Sequence, residues 1–290
     1  MSYLSESTYR QINEHMEKFT SLGDTAIHYS DIARGEKTLV LLHGYLESLE
    51  VWDDFAGQLG KAGYRVISLD LPGHGISEVI GDVHTMEFLA GIVAQLLDKL
   101  EIPKATLIGH SMGGYVALAF AESYPEKLEG LVLFHATPDA DSEEKKENRK
   151  REIGIVQAGR KEMLSRMLPE TRYAPENRKK MDEEIDAGAL QVMLTEDEGI
   201  LALLNGMMQR RDQNAMLAKL PVPQLFIFGR HDELIPQEKA EAVVAKNPQA
   251  QVAWLAHSGH MGFLEEPAES LKIIEHFTAV PNALTHADKS

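Results

Sequence analysis

Residues 105–114 read Ala-Thr-Leu-Ile-Gly-His-Ser-Met-Gly-Gly, and they join a β-rich apolar run to a segment of helical composition. A Gly-x-Ser-x-Gly sequence between a strand and a helix forms a sharp turn, and glycine at 109 and 113 avoids Cβ collisions with both elements. The turn lifts the serine hydroxyl clear of the sheet, and the helix N-terminus favours negative charge on a nearby substrate oxygen. The stretch by itself predicts either an exposed hydroxyl at Ser111 beside a helix N-terminus or a turn of small residues without a chemical role.

Short apolar runs alternate with helical segments on both sides of this turn, which predicts a mostly parallel sheet with helices on both faces. The predicted strands cover residues 38–42, 64–69, 105–108, 131–134, 224–228 and 252–255. Residues 17–20 and 25–29 flank a turn-rich spacer and predict an antiparallel hairpin at the sheet edge, for about eight strands in all. Residues 85–100 predict a helix with Thr85 as its N-cap.

The alternation stops between residues 138 and 220, where no β-rich run occurs and a charged segment is followed by helical spacing. We predict two units, an α/β core of residues 1–137 and 221–290 and a helical cap of residues 138–220. The cap is expected to lie over the catalytic edge of the sheet. Its methionines are expected to pack between the cap helices, with a minority lining a pocket.

The turn, the order of the strands and the insert resemble the α/β-hydrolase fold family, in particular members with a Gly-His-Ser-Met-Gly-Gly elbow. The resemblance spans about residues 16–279, although the insert matches only in position and length. It implies that Ser111 is the nucleophile of a serine hydrolase. Dehalogenase and epoxide-hydrolase relatives have an aspartate at this position, so Ser111 excludes those activities.

A neutral serine needs a base to take its proton, and His260 is the best candidate. It follows the run at 252–255, so it belongs to the same edge of the sheet as the elbow. His110 is expected to pack away from Ser111, and His28 and His84 are expected at the surface. His257 and His260 have metal-ligand spacing, but no third ligand accompanies them, so we predict no metal site.

The base needs a buried carboxylate, and Asp232 fits best because it follows the run at 224–228 and gives the chain order Ser, Asp, His. Glu233 is its neighbouring rival, and Asp139 or Asp141 would serve if the acid followed the run at 131–134. A purely structural role would make Asp232 a cap of the helix that begins near residue 236.

Acyl transfer also needs two N–H donors aimed at the oxyanion. Met112 is expected to supply one. Residues 41–46, Leu-Leu-His-Gly-Tyr-Leu, resemble the family's His-Gly loop, which implies that the second donor is the backbone N–H of Tyr45, with Leu46 as the alternative. His43 and Asp70 are predicted to brace neighbouring loops.

The composition limits the partners of the chain. Its 290 residues carry 29 Lys+Arg against 45 Asp+Glu, and a formal net charge of −16 disfavours nucleic acid and anionic membranes. The absence of cysteine excludes disulfides and thiolate sites. No nucleotide-binding motif is present, so no cofactor is expected. With no apolar leader or membrane span in the sequence, we expect a cytoplasmic enzyme.

We therefore predict a serine hydrolase of a small, mostly apolar ester or lactone, with Trp52, Phe55, Met261 and Phe263 around the pocket. A carbon–carbon bond hydrolase of a diketone-like acid is the alternative, and it would need a cation facing the pocket, with Arg160, Arg166, Arg210 and Arg211 as candidates. An acyltransferase, or a signalling protein that binds its ligand and turns over slowly, would use the same triad. The sequence does not indicate an oligomeric state.

Overall fold

The structure is a computed structural model, and it describes residues 17–23, 25–32 and 35–279. Eight strands form one sheet in the order β1-β2-β4-β3-β5-β6-β7-β8. They are β1 (Glu17–Leu22), β2 (Thr25–Ile32), β3 (Thr38–Leu42), β4 (Arg65–Leu69), β5 (Ala105–His110), β6 (Leu128–Phe134), β7 (Gln224–Gly229) and β8 (Gln251–Leu255). The β1–β2 and β2–β4 pairs are antiparallel and all other pairs are parallel, which confirms the predicted sheet.

Helices connect the parallel strands. They are α1 (Asp53–Lys61), α2 (Met86–Lys99), α3 (Met112–Ser123), α4 (Glu143–Gln157), α5 (Lys161–Thr171), α6 (Asp182–Leu194), α7 (Asp197–Met207), α8 (Asn214–Leu217), α9 (Gln237–Lys246), α10 (Gly262–Glu265) and α11 (Pro267–Ala279). The predicted cap of α2 is confirmed, because Oγ1 of Thr85 accepts a hydrogen bond from the N–H of Phe88 at 3.1 Å. None of the helices in the described part of the chain is long and apolar enough to cross a bilayer.

The sheet separates two apolar layers, as the two-residue period of a strand requires. In β3, Val40 and Leu42 belong to the layer that packs against α2 and α3, whereas Leu39 and Leu41 belong to the layer that includes α1 and α11. All four side chains are buried. Burial on both faces fixes the register of the central strands, so the residues that follow them lie at defined places on one edge of the sheet.

Five helices, α4 to α8, occupy the connection between β6 and β7. This agrees with a helical insert, and residues of α4 and α5 line a cavity at the carboxyl ends of the parallel strands. The division into an α/β core and a cap remains a prediction.

Two histidines differ from the sequence-based expectation. The prediction that His28 and His84 lie at the surface is wrong, because both are buried. Nδ1 of His28 lies 2.7 Å from Oδ2 of Asp70, and Nδ1 of His84 donates to the carbonyl of Pro72 at 3.0 Å. Asp70 also accepts a hydrogen bond from the N–H of Leu49 at 2.7 Å, in agreement with its predicted bracing role.

Candidate active site

The β5–α3 turn holds Ser111 in a strained conformation, with φ 50° and ψ −114°. The turn is too tight for side chains around it. A Cβ on Gly109 would lie 2.3 Å from the carbonyl oxygen of Gly113, and a Cβ on Gly113 would lie 2.2 Å from that of Leu42. Helix α3 begins at Met112, so the Met112 N–H is one of the first-turn donors that have no intrahelical acceptor. The partly exposed Ser111 and the Met112 N–H, which has no intrahelical acceptor, are therefore adjacent at this turn.

The loop after β3 leaves Tyr45 as the available backbone donor. The N–H of Gly44 donates to Oε2 of Glu47 at 2.6 Å, and the N–H of Leu46 donates to Nε2 of His74 at 3.0 Å. The backbone N–H groups on both sides of Tyr45 therefore already have hydrogen-bond acceptors. Leu46, the alternative oxyanion donor, is one of these two.

The loops after β7 and β8 bring Asp232 and His260 into contact. Nδ1 of His260 donates to Oδ2 of Asp232 at 2.7 Å. Oδ1 of Asp232 accepts from the N–H groups of Leu234 and Ile235 at 2.8 and 2.9 Å, so the carboxylate caps the turn and orients the imidazole. Nε2 of His260 is buried and has no hydrogen-bond partner among the described residues. His260 and Ser111 line the same cavity.

Electrostatics set both groups to the protonation states that base catalysis needs. Burial alone would raise the pKa of Asp232, but the charge of His260 and hydrogen bonds from His135 and His260 outweigh it and lower that pKa. Burial lowers the pKa of His260 to about 4, although Asp232 partly offsets the effect. At neutral pH the pair is a carboxylate and a neutral imidazole, which is the form that accepts a proton.

The rival acids are engaged elsewhere. Glu233 is exposed and pairs with Arg178 at 2.8 Å. Asp139 accepts a hydrogen bond from Lys246 at 3.0 Å, and Asp141 is buried between two arginines of the insert. Only Asp232 among these candidates contacts His260.

His135 is part of the site and was missed by the sequence analysis. It follows β6, is fully buried, and has a positive φ of 50°. Nδ1 of His135 lies 3.4 Å from Oδ2 of Asp232, and its Nε2 accepts from the N–H of Gly262 at 3.1 Å. Burial lowers the pKa of His135, so a neutral ring steadies the carboxylate. A polar residue directly after a central strand was the available signal.

A buried network also ties the separate loops together. Nδ1 of His110 contacts Oε2 of Glu47 at 2.9 Å, and Nε2 of His110 donates to the backbone carbonyl of His260 at 2.8 Å. Arg172, from the insert, donates to the backbone carbonyl of Tyr45 at 2.7 Å, and its own carbonyl accepts from the His260 N–H at 2.6 Å. The insert, the loop after β3 and the loop after β8 are therefore held in one arrangement.

One buried cluster in the described part of the chain has metal-ligand side chains in reach of one another. The ligand atoms of His135, Asp232 and His260 lie within 4.8 Å of each other. Oδ2 of Asp232 faces both Nδ1 atoms and Nε2 of His135 accepts from a backbone N–H, whereas Nε2 of His260 keeps a free lone pair among the described residues. Hydrogen bonding explains this cluster without a metal ion.

The cavity above Ser111 has a volume of about 510 Å³ and two walls. The strand-end wall consists of Tyr45, Glu47, Ser111, Met112, Tyr115 and His260. The insert wall consists of Ser142, Glu144, Lys145, Asn148, Arg149, Glu152, Leu168, Thr171, Arg172 and Met207, and Glu233, Leu234, Ile235, Pro236 and Lys239 complete the rim. The cavity is more highly charged than the sequence suggested.

The prediction that Trp52, Phe55 and Phe263 lie around the pocket is wrong. These side chains are almost fully buried in the core layer beside α1 and α11. Met261 lines a separate cavity of about 290 Å³. These aromatic side chains pack in the core instead of lining the cavity above Ser111.

The predicted cations also differ from those observed. Arg160, Arg166 and Arg211 are exposed, and Arg210 is buried behind Tyr115. The arginines that do line the cavity are Arg149 and Arg172, which the sequence analysis did not name.

An eight-stranded, mostly parallel sheet with a serine on a strained strand-to-helix turn defines an α/β-fold hydrolase. The model of the alpha/beta hydrolase fold family matches residues 37–157. A 2-hydroxy-6-oxononadienedioate/2-hydroxy-6-oxononatrienedioate hydrolase from Paraburkholderia phymatum is 33% identical, over 81% of this chain and 84% of that protein. The chain belongs to the α/β-hydrolase fold family and is a hydrolase.

Two further relatives are esterases. The pimeloyl-[acyl-carrier protein] methyl ester esterase of Serratia marcescens is 28% identical, over 88% of this chain and 99% of that protein. A thermophilic esterase from Thermogutta terrifontis, solved with malate bound, is 29% identical with a TM-score of 0.84, over 91% of this chain and 98% of that chain. The family resemblance and the hydrolase prediction are confirmed.

Proposed function

We propose that Ser111, His260 and Asp232 form the catalytic triad of an esterase or lactonase, with the N–H groups of Tyr45 and Met112 as the oxyanion hole. The observation that carries the proposal is the 2.7 Å contact between His260 Nδ1 and Asp232 Oδ2. It leaves Nε2 of His260 without a partner in the described part of the chain, on the cavity that Ser111 also lines. The relatives named as esterases support the same reaction class.

The reaction follows from these positions. Nε2 of His260 takes the proton of Ser111 while Oγ attacks the substrate carbonyl, and Asp232 holds the imidazole in one tautomer and balances its charge. The N–H groups of Tyr45 and Met112 bind the oxyanion of the tetrahedral intermediate. His260 then protonates the leaving alcohol, and water activated by His260 hydrolyses the acyl-enzyme.

The insert is part of the proposal. We assign residues 138–220 as a cap and residues 1–137 and 221–290 as the core, because α4 and α5 supply one wall of the cavity. The proposal also places a small molecule, rather than nucleic acid or a membrane, as the substrate and keeps the enzyme in the cytoplasm. The net charge of −16 supports the first of these statements.

Turnover of para-nitrophenyl butyrate tests the reaction, with covalent labelling by a fluorophosphonate as a separate test of the nucleophile. We expect rapid, repeated turnover and labelling in the wild-type protein, and the loss of both in Ser111→Ala. Labelling of another residue, or equal turnover by Ser111→Ala, would contradict the proposal. A single slow burst without further turnover would instead indicate a ligand-binding signalling protein.

A second candidate is a carbon–carbon bond hydrolase of a diketone-like acid, favoured by the 33% identical relative that is named for such a reaction. The same triad and cavity serve both reactions. Assay of a vinylogous diketone acid beside a panel of esters, thioesters and lactones separates the two. A higher kcat/KM for the diketone acid than for every ester would favour the second candidate, and preference for an alcohol acceptor over water would indicate an acyltransferase.

A further inference from the structure

One end of the cavity gathers positive charge around a phenol. Tyr115 follows Ser111 by four residues in α3, about 6 Å along the helix axis. Nζ of Lys145 donates to Oη of Tyr115 at 3.3 Å, and the guanidinium of Arg210 covers the Tyr115 ring at 3.8 Å from its centroid. Arg149 lines the same part of the insert wall. We call Lys145, Arg149 and Lys239, around Tyr115, the cationic cluster.

The carboxylates near this cluster do not balance it. Asp141 is buried and accepts hydrogen bonds from both Arg149 and Arg210, at 2.5 and 2.9 Å, so one acid serves two arginines. Lys145 and Lys239 form no ion pair with any carboxylate of the described residues. Asp139 acts on Lys239 and Asp141 on Lys145 from a distance, so two ammonium groups line the cavity with no carboxylate of the described residues in ion-pair contact.

The other acids of the cavity form no ion pair with the cluster among the described residues. Glu233 pairs with Arg178 at 2.8 Å, and Glu144 is exposed in the first turn of α4. Glu152 interacts with Arg149 and Lys145 as well as with Tyr45, but burial raises the pKa of Glu152 and so favours its neutral form. The excess of positive charge thus remains at the Tyr115 end.

The titration of neighbouring groups agrees with an unbalanced cationic site. Burial would raise the pKa of Tyr115, but the charges of Lys145, Arg210 and Arg149 outweigh it and lower that pKa to about 7. The pKa of Lys239 is lowered by burial and by the charge of Lys145. Asp141 and Asp139 act in the opposite direction without cancelling these effects, and both shifts have the sign expected where positive charges crowd together.

We propose that the cationic cluster binds a carboxylate of the substrate, so that the enzyme selects esters or lactones that carry a free acid group one helical turn away from the scissile carbonyl. This inference rests on the proposed function, because it uses Ser111 as the point of attack. Lys145 and the Tyr115 hydroxyl donate to the carboxylate, and Lys239 closes the site from the rim. Arg149 holds the insert wall in place through Asp141.

Charge-assisted hydrogen bonds at a partly buried site favour an acid over its neutral ester by roughly tenfold to a hundredfold in affinity. Half-esters of short dicarboxylic acids satisfy both ends of the site. A bound carboxylate also places a negative charge beside Tyr115, which raises the pKa of the phenol. The inference thus predicts both a preference among substrates and a spectroscopic signal.

Binding to the Ser111→Ala protein tests the inference without turnover. Titration calorimetry compares monomethyl glutarate with dimethyl glutarate, and then the half-esters from malonate to suberate. We expect the best half-ester to bind at least about tenfold more tightly than its diester. Lys145→Met should remove that preference, whereas Lys146→Met, which removes a lysine paired with Glu143 one position along the same helix, should keep it. Glutarate should decrease the tyrosinate absorption at neutral pH, and Tyr115→Phe should remove this signal.

Equal binding of half-esters and diesters, no measurable binding of any half-ester, or equal losses in Lys145→Met and Lys146→Met would overturn the inference. The two proposals fail separately. Fluorophosphonate labelling of Ser111 with no preference for half-esters would support the esterase proposal and contradict the carboxylate site. Tight half-ester binding with no hydrolysis by the wild-type protein would support the carboxylate site and contradict the esterase proposal.

Discussion

The two walls of the cavity are built in different ways. The strand-end wall comes from loops after β3, β5 and β8, and several of its groups are held by short hydrogen bonds, such as the 2.7 Å contact between His260 and Asp232. The insert wall comes mainly from α4 and α5, and it carries charged side chains of which Lys145 has no carboxylate partner in the described residues. In the proposed mechanism, the strand-end wall performs the reaction and the insert wall selects the substrate.

Arg172 connects the two walls and is the exception to this division. It belongs to the insert, yet it donates to the Tyr45 carbonyl and accepts from the His260 N–H. A residue of the insert wall therefore contacts backbone groups of two loops of the strand-end wall. Four predictions test how far the division holds.

The largest effect is expected at Asp232, the acid that contacts His260 of the strand-end wall. Asp232→Asn should lower kcat by about 10⁴-fold, because an amide neither balances the imidazolium nor holds the reactive tautomer. Glu233→Gln, the exposed neighbour, is the matched control and should retain activity. Steady-state turnover of para-nitrophenyl butyrate measures both variants. A similar loss of kcat in the two variants would contradict the assignment of Asp232 as the acid of the triad.

Arg172→Ala removes the side-chain contact with the Tyr45 carbonyl, while the backbone hydrogen bond from the His260 N–H stays. It should lower kcat by roughly tenfold to a hundredfold, because a small displacement of the Tyr45 N–H, the proposed oxyanion donor, is costly. Arg172→Lys should restore part of the activity, since an ammonium still donates to the Tyr45 carbonyl. Arg166→Ala, an exposed site on α5, should leave kcat unchanged. Equal kcat values for Arg172→Ala and Arg166→Ala would show that the Arg172 side chain has no effect on the reaction.

The pH dependence sharpens the description of the strand-end wall. Because burial lowers the pKa of His260 to about 4, the imidazole stays neutral and active until the pH falls near that value. We expect kcat/KM at pH 5.5 to lie within about twofold of its value at pH 7, whereas an ordinary histidine pKa of about 6.5 would give a roughly tenfold fall. Initial rates, with circular dichroism to verify folding, measure this. A tenfold fall at pH 5.5 in folded protein contradicts the burial effect.

The smallest effect is expected on the outer surface of the insert. Met167 and Leu190 are 57% and 59% exposed, so replacing either by serine should change the free energy of unfolding by less than about 0.5 kcal/mol and leave kcat/KM unchanged. Met207→Ala, at a buried cavity-lining site, should cost about 2 kcal/mol or more. Urea denaturation measures all three. Equal losses would show that the outer face is also packed.

Much of the sheet followed from local patterns. The runs at 38–42 and 224–228 were placed within a residue, because central strands are apolar on both faces and end at polar turns. The candidate triad followed from the same logic, since a residue just after a parallel strand belongs to the catalytic edge wherever the chain goes next. His135 meets this condition after β6, but nothing local distinguishes a histidine bound to Asp232 from one that packs in the core.

The sequence by itself determined the sheet, the strained turn at Ser111 and the three side chains proposed for the reaction, because strand period, glycine spacing and chain order are local properties. Only the tertiary structure decided which side chains form the cavity. It placed Trp52 and Phe263 in the core, and it brought Lys145 to Tyr115 and Arg172 to Tyr45. These contacts join residues 30 and 127 positions apart, and they depend on how helices of the insert pack, for which the hydrophobic period specifies a buried face but not a partner.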